Sequence, residues 1–223
     1  MKSMRHLAAA ICLFLASSPI YAGSGSLNPD ASDSCLKSDG TLIDPASYQS
    51  RVGEYFAPGG AAYIIPFLLP TLPAGEGFTT ANLRMQLLSI TNEGGLAKAD
   101  LYGIGVRAAA TVLPADYYQG QSDKALGVTL IQAGFLTPQS TPRTDGDTGP
   151  FVTTSAEGDK ALAQYLNKAY DHGKNAGKYI FLRISYTADP IPDGNNAYAL
   201  LTEDATGDNE KPVLKYTTGA VFP

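Results

Sequence analysis

The feature that most constrains the fold is a set of short segments in which apolar and polar side chains alternate. The clearest run covers residues 180–186, and further strand-like segments cover 81–87, 101–107, 197–202 and 211–218. Neighbouring side chains of a β-strand point to opposite faces, so alternation predicts strands with one face in a core and one in water. Glycine, proline, asparagine and aspartate separate these runs. We therefore expect an all-β fold with one short helix, an antiparallel jelly-roll-like β-sandwich.

Three details of the strand pattern lead to narrower predictions. Pro66 has no N–H donor, so the apolar run around it suits a sheet edge or a bulge better than a central strand. The alternation changes phase at 87–88, which predicts a β-bulge. Asn-Glu-Gly-Gly at 92–95 is a strong turn signal between two alternating runs, and it predicts a hairpin.

One segment has the spacing of a helix instead. Apolar residues recur every three or four positions between Ser155 and Gly173 and form a single stripe. Ser155 is the expected N-cap, and Gly173 suits a left-handed C-terminal cap. His172 falls in the last predicted turn, where an imidazolium favourably meets the negative end of the helix dipole.

The N-terminus has the three parts of a secretory signal. A short basic stretch with Lys2 and Arg5 precedes a run of about ten apolar residues, and a turn-prone segment ends at Ala22. The predictions are a removable signal peptide at 1–22, with a buried helix as the alternative, and a secreted or extracytoplasmic protein. We expect a loosely ordered segment at 23–60, with at most one edge strand near its end, and a β-sandwich domain at 61–223.

Charge excludes several partners of the processed chain. Loss of Lys2 and Arg5 from the 16 basic residues leaves 14 against 21 acidic ones, a net charge of −7. Such a surface repels nucleic acid and anionic lipid. No apolar run after the signal peptide is long enough to predict membrane insertion of the processed chain. One cysteine, Cys35, remains, which predicts either a free thiol or a disulfide to another chain.

Catalytic and metal-binding groups are sparse. After loss of the predicted signal peptide, His172 is the one histidine and Cys35 the one cysteine. Neither a Ser-His-acid triad nor a zinc site is therefore predicted, and we expect a protein that is not an enzyme. No resident cofactor is expected, although calcium needs only oxygen ligands and the Asp-Gly-Asp loop at Asp145 and Asp147 could supply them.

The best candidate for ligand contact is a short aromatic segment. Asp116, Tyr117, Tyr118 and Gln119 place two adjacent rings beside an acid and an amide, the groups that bind sugars by stacking and hydrogen bonding. The chain has no tryptophan, which disfavours a flat platform for crystalline polymers. The alternative is that these two rings belong to a strand, with one buried and one exposed.

Several stretches together resemble a known family. They are Ile-Pro-Phe-Leu-Leu-Pro at 65–70 followed by Ala-Asn-Leu-Arg-Met at 81–85, Phe-Leu-Thr-Pro at 135–138, and Ala-Leu-Leu-Thr-Glu at 199–203 before Lys-Pro-Val-Leu-Lys-Tyr at 211–216. Their order is similar to that of the exported bacterial modules called DNRLRE domains, which are related to certain carbohydrate-binding modules. The signature hexapeptide of that family does not occur in the sequence.

The resemblance implies a jelly-roll-like sandwich with an accessory role beside enzymes or on cell surfaces. It matches Glu203 to an acidic position of the family, where the carboxylate either ties down the loop that follows it or contacts a ligand. Two functions are therefore expected as alternatives. The chain is a non-catalytic module that binds extracellular polysaccharide, or it is a structural or assembly protein of the cell envelope whose partners are other proteins.

Overall fold

The computed structural model describes residues 23–43, 47–54, 59–118, 128–144, 149–188, 194–207 and 210–220. The predicted signal peptide, Gln119, Asp145 and Asp147 lie outside the described residues. The strands are β1 (Ser24–Leu27), β2 (Ser34–Lys37), β3 (Leu42–Ile43), β4 (Gln49–Glu54), β5 (Ala61–Leu68), β6 (Glu76–Met85), β7 (Leu87–Asn92), β8 (Ala99–Arg107), β9 (Thr129–Leu136), β10 (Val152–Thr153), β11 (Tyr179–Tyr186), β12 (Asn196–Leu201) and β13 (Val213–Ala220). The helix α1 covers Ala156–Tyr170.

These strands form two antiparallel sheets over a shared core. The smaller sheet has the order β1-β13-β6-β10, and the larger has the order β7-β12-β4-β5-β11-β8-β9, with β2 paired to β5 and β3 paired to β2. Leu83 and Leu214 of the smaller sheet and Ile65 and Leu182 of the larger sheet are fully buried in one cluster. The predicted all-β sandwich with one helix is confirmed.

The larger sheet is covered on its outer side as well. Tyr63 and Ile65 of β5 point into the main core, whereas Ala62 and Ile64 belong to a second apolar cluster with Val112 from the segment after β8. A strand buried on both faces needs apolar residues at every position. This explains why the sequence of β5 does not alternate.

Pro66 lies in a central strand, so the prediction of a sheet edge is wrong. β5 pairs with β11 on one side and with β2 and β4 on the other. The Asp30 N–H donates to the Pro66 carbonyl at 2.9 Å, and β2 has ended at the pair Ser34–Ile64. The nitrogen and oxygen of one residue in an antiparallel strand point to the same side. The missing donor of Pro66 therefore faces a position where the ladder with β2 is already interrupted.

The change of phase at 87–88 follows directly after a change of sheet. β6 ends at Met85 in the smaller sheet, β7 begins at Leu87 in the larger sheet, and the fully buried Gln86 connects them. The predicted bulge at this point is confirmed, because the register between β7 and β12 shifts between the pairs Ala199–Ser89 and Leu200–Leu87 and leaves Leu88 as the extra residue of β7.

The predicted hairpin around 92–95 is also wrong. β7 pairs with β12 at one end of the larger sheet, and β8 pairs with β11 and β9 at the other end. The turn signal itself has a local cause, because the Asn92 side-chain oxygen accepts hydrogen bonds from Gly94 N–H at 3.0 Å and Leu96 N–H at 3.3 Å.

The segment 23–60 differs from the loosely ordered lead-in that its composition predicts. It contributes the four strands β1 to β4, and Leu36 and Val52 are fully buried. Cys35 is 4% exposed and its thiol lies 3.5 Å from the Arg51 carbonyl oxygen. Backbone pairing with β5 and β13 orders this polar stretch, so the thiol expected in a loose segment is part of a sheet.

The helix begins where the sequence predicts. The Ser155 hydroxyl oxygen accepts a hydrogen bond from Gly158 N–H at 3.1 Å and caps the first turn. The C-terminal end differs in detail, because the left-handed backbone begins at Asp171 and continues through His172 to Gly173. Within the described part of the chain, no helix is long and apolar enough to cross a membrane.

Candidate functional site

The aromatic segment after β8 is folded against the larger sheet. Asp116 is 4% exposed; its Oδ2 accepts hydrogen bonds from Arg107 Nη1 and from Leu113 N–H, each at 2.8 Å, and a second Arg107 nitrogen contacts Oδ1. Tyr117 packs on the outer apolar cluster, and the Arg183 guanidinium lies 5.5 Å from the centre of the Tyr118 ring. These contacts hold the segment in place, and both rings are half-buried.

Glu203 is also engaged within the fold. Its carboxylate accepts a hydrogen bond from the Lys211 ammonium at 2.9 Å, and both side chains are about one-quarter exposed. This ion pair joins the two ends of the loop that follows β12. Within the loop, the Glu210 carboxylate accepts a hydrogen bond from Gly207 N–H at 3.3 Å.

An open groove lies elsewhere, along the seam between α1 and β6. It consists of three cavities of about 510, 470 and 210 Å³. Thr80 and Asp159 line both of the two larger cavities, and Asn167 lines both the second and the smallest. The three therefore adjoin, and we call them together the α1–β6 groove.

The floor of the largest cavity is the outer face of the smaller sheet. Leu83 and Leu214 point inward, so the residues next to them in β6 and β13 point outward. The outward positions of β1, β13 and β6 line the cavity with small polar or charged side chains: Ser24, Ser26, Thr80, Asn82, Lys215 and Thr217. The Thr217 hydroxyl lies 2.7 Å from that of Thr79 and 2.6 Å from that of Thr80. This floor offers hydroxyl, amide and ammonium groups side by side.

A polar junction fixes the point where the two larger cavities meet. Asn82 Nδ2 donates to Asp159 Oδ1 at 2.9 Å and to Thr154 Oγ1 at 3.0 Å, and the Thr154 hydroxyl also contacts Asp159. The same Thr154 oxygen accepts from Leu83 N–H at 3.0 Å. The first turn of α1 is therefore bonded directly to β6, which holds the Asp159 carboxylate in one orientation.

The wall of the middle cavity is the exposed side of α1. Lys160 and Gln164 are exposed, and Asn167 is half-buried against Phe78 of β6. At the far end His172 is exposed beside Glu76, whose Oε2 accepts from the Thr218 hydroxyl at 2.8 Å. His172, expected only to cap the helix, is the last residue along the groove.

Tyr216 contributes an aromatic ring beside the groove. The ring lies edge-on to Phe78 at 5.2 Å between centroids, and burial raises the pKa of its hydroxyl. Gly25 faces it from β1, and a Cβ at that position would collide with the hydroxyl end of the ring. Glycine at position 25 therefore allows the ring to lie across the edge strand.

The groove is lined by polar groups that can form hydrogen bonds. Among the described residues, no group of three or more histidine, cysteine, aspartate or glutamate side chains is arranged to hold a metal ion. No protein-family model matches the chain, and no curated protein matches it.

The sequence does not predict this groove, because its lining comes from four separate regions, 24–26, 76–82, 156–172 and 215–217. The one local signal was the alternation of polar residues along β6 and β13. It predicts that these side chains point outward, but it does not show which other elements lie beside them.

Proposed function

We propose that the chain is an exported, non-catalytic accessory module that binds extracellular polysaccharide along the α1–β6 groove. The observation that carries this proposal is that adjoining cavities share lining residues, Thr80 and Asp159 in one case and Asn167 in the other, which favours an elongated open site over a closed pocket. Ligand sites usually enclose about 300–1,000 Å³, and the two larger cavities each fall in that range.

The lining suits a ligand that is rich in hydroxyl groups. Hydroxyl, amide and charged side chains alternate along the groove, and each can donate to or accept from a sugar hydroxyl. The Asn82–Asp159–Thr154 junction holds part of this lining rigid before any ligand arrives, which lowers the entropy cost of binding. Recognition by hydrogen bonds in a groove also agrees with a chain that has no tryptophan.

The alternative of an envelope assembly protein loses one of its supports. One motivation for it was an unpaired Cys35 able to cross-link to a partner, and the thiol is buried within β2. The proposed partners are therefore polysaccharides outside the cytoplasm, with a net charge that disfavours nucleic acid.

Affinity gel electrophoresis of residues 23–223 through gels that contain soluble plant, algal or bacterial polysaccharides tests the proposal. We expect retarded migration in at least one gel and unchanged migration without polysaccharide. Thr80→Arg places a long side chain where the two larger cavities meet, so it is expected to abolish the retardation, whereas Thr206→Arg on an exposed turn is the matched control. Unretarded migration in every gel would remove the polysaccharide function.

A further inference from the structure

A buried carboxyl group joins three distant parts of the sandwich. Asp33, just before β2, is fully buried, and its Oδ2 contacts the Tyr63 hydroxyl of β5 and accepts from Glu203 N–H at 3.1 Å. Glu203 begins the turn after β12, 170 residues further along the chain. This site is separate from the α1–β6 groove.

The other oxygen of this carboxyl has no hydrogen-bond partner. Asp33 Oδ1 is buried, and no donor within the described residues reaches it. An ionised carboxylate would leave a negative charge on this buried oxygen without a donor, which is costly in a low-dielectric interior. A proton on Oδ1 would remove that charge, while Oδ2 keeps both of its contacts.

The charged groups around Asp33 also favour the proton. Glu203 and Asp204 are close enough for their negative charges to act on Asp33, and the Lys211 ammonium is bonded to Glu203. Burial is the largest cause and raises the pKa of Asp33 from 3.8 to about 7, against the opposing effect of the two hydrogen bonds to Oδ2. The geometry and the electrostatics therefore agree.

We propose that Asp33 is a proton-dependent latch, which holds the start of β2 and the turn at 202–205 to β5 while it is protonated and weakens this junction when it ionises. The latch makes the fold more stable in a mildly acidic medium than in an alkaline one. It is built from the segment that precedes β2 and the turn that follows β12, so its failure would leave the proposed ligand site untouched.

The sign of the pH dependence follows from the direction of the pKa shift. Between about pH 4 and 7 the folded protein holds a proton that the unfolded chain releases, so stability falls as pH rises through this interval and levels off above it. A single proton changes the folding equilibrium constant by up to about tenfold per pH unit.

Urea unfolding of residues 23–223 at a series of pH values between about 4.5 and 8.5 measures the pH dependence of stability. We expect the folding equilibrium constant of the wild type to fall steeply towards pH 7, and Asp33→Asn to remove that component of the slope. Asp39→Asn, at an exposed position in the next turn, is the control and should keep the wild-type slope. An unchanged slope in Asp33→Asn would overturn the proposal.

Direct titration of the wild type covers the case in which Asp33→Asn fails to fold. The ¹³C shift of the Asp33 carboxyl, read by NMR, is expected to change near pH 7, and Tyr63→Phe should move the midpoint to higher pH because the Tyr63 hydrogen bond lowers the pKa of Asp33. A carboxyl that titrates near pH 4 would contradict the latch.

Discussion

The side-chain amide of Asn167 forms two hydrogen bonds with the backbone of Phe78. Its Oδ1 accepts from the Phe78 N–H at 2.8 Å, and its Nδ2 donates to the Phe78 carbonyl at 2.7 Å. A neighbouring strand would make the same pair of bonds, so Asn167 continues the sheet at a point where β10 does not reach. This contact and the Asn82–Asp159 bond hold the two walls of the α1–β6 groove at a fixed separation.

Replacement of Asn167 tests this contact. Asn167→Ala leaves the N–H and carbonyl of Phe78 without their partner, and the expected loss of unfolding free energy is about 1–3 kcal/mol. Urea unfolding measures it, with Gln164→Ala, an exposed position one turn earlier on α1, as the control. Equal stability of the two variants would show that the Asn167 bonds contribute nothing net.

The N-cap of the helix gives a second prediction. Ser155→Ala removes the acceptor for Gly158 N–H and should lower the unfolding free energy by about 1 kcal/mol. Ser155→Asp should recover most of that loss, because aspartate caps well and its charge favours the positive end of the helix dipole. Thermal unfolding monitored by circular dichroism distinguishes the three proteins, and an alanine variant as stable as the wild type would refute the capping role.

Cys35 should resist chemical modification in the folded protein. Burial raises the pKa of its thiol and keeps reagents away, so a thiol reagent such as DTNB is expected to react slowly under native conditions and rapidly in urea. Thr206→Cys adds a thiol at an exposed position and should react at once in the native state. A rapid reaction of the folded wild-type protein with DTNB, or a disulfide-linked dimer, would contradict this prediction and support the assembly hypothesis.

An elongated groove predicts that affinity depends on the length of the ligand. Asp159 and Tyr170 are separated by eleven positions of α1, about 17 Å at the rise of a helix, and His172 lies beyond the end of that helix. We expect calorimetry to show affinity that rises with the number of sugar units and then levels off. Lys215→Ala and His172→Asn, at opposite ends, should both weaken a long oligosaccharide. Affinity independent of length would indicate a ligand held in one cavity.

Alternation along the chain predicted the strands β6, β8, β11, β12 and β13, because a period of two shows which side chains face the core. It did not predict the partners of these strands. Gln86 shows why, since a strand that passes from one sheet to the other keeps its local pattern and changes all of its neighbours. Pro66 shows the same limit, because the ladder that it would interrupt is set by where a different strand ends.

The candidate site was harder to predict than the fold. Asp116 and Tyr118 carry groups that could bind a sugar. In the structure Asp116 accepts a hydrogen bond from Arg107, and the Tyr118 ring lies near the Arg183 guanidinium. The residues of the groove look ordinary in sequence, since isolated serines, threonines and lysines on outward positions occur in any sandwich. Only the packing of α1 against β6 turns them into one site, and that packing depends on contacts between residues far apart in the chain, such as Asn167 and Phe78.

Binding along the α1–β6 groove can be tested with two lysine variants on a polysaccharide that retards the wild type. Lys160 of α1 and Lys215 of β13 line the groove. Lys168 is an exposed residue of α1 that is not part of the groove lining. We predict that Lys160→Ala combined with Lys215→Ala lowers the affinity at least tenfold, a loss of about 1.4 kcal/mol, with unchanged stability. Lys168→Ala should bind as the wild type does. Equal affinity of all three proteins would contradict binding along the α1–β6 groove.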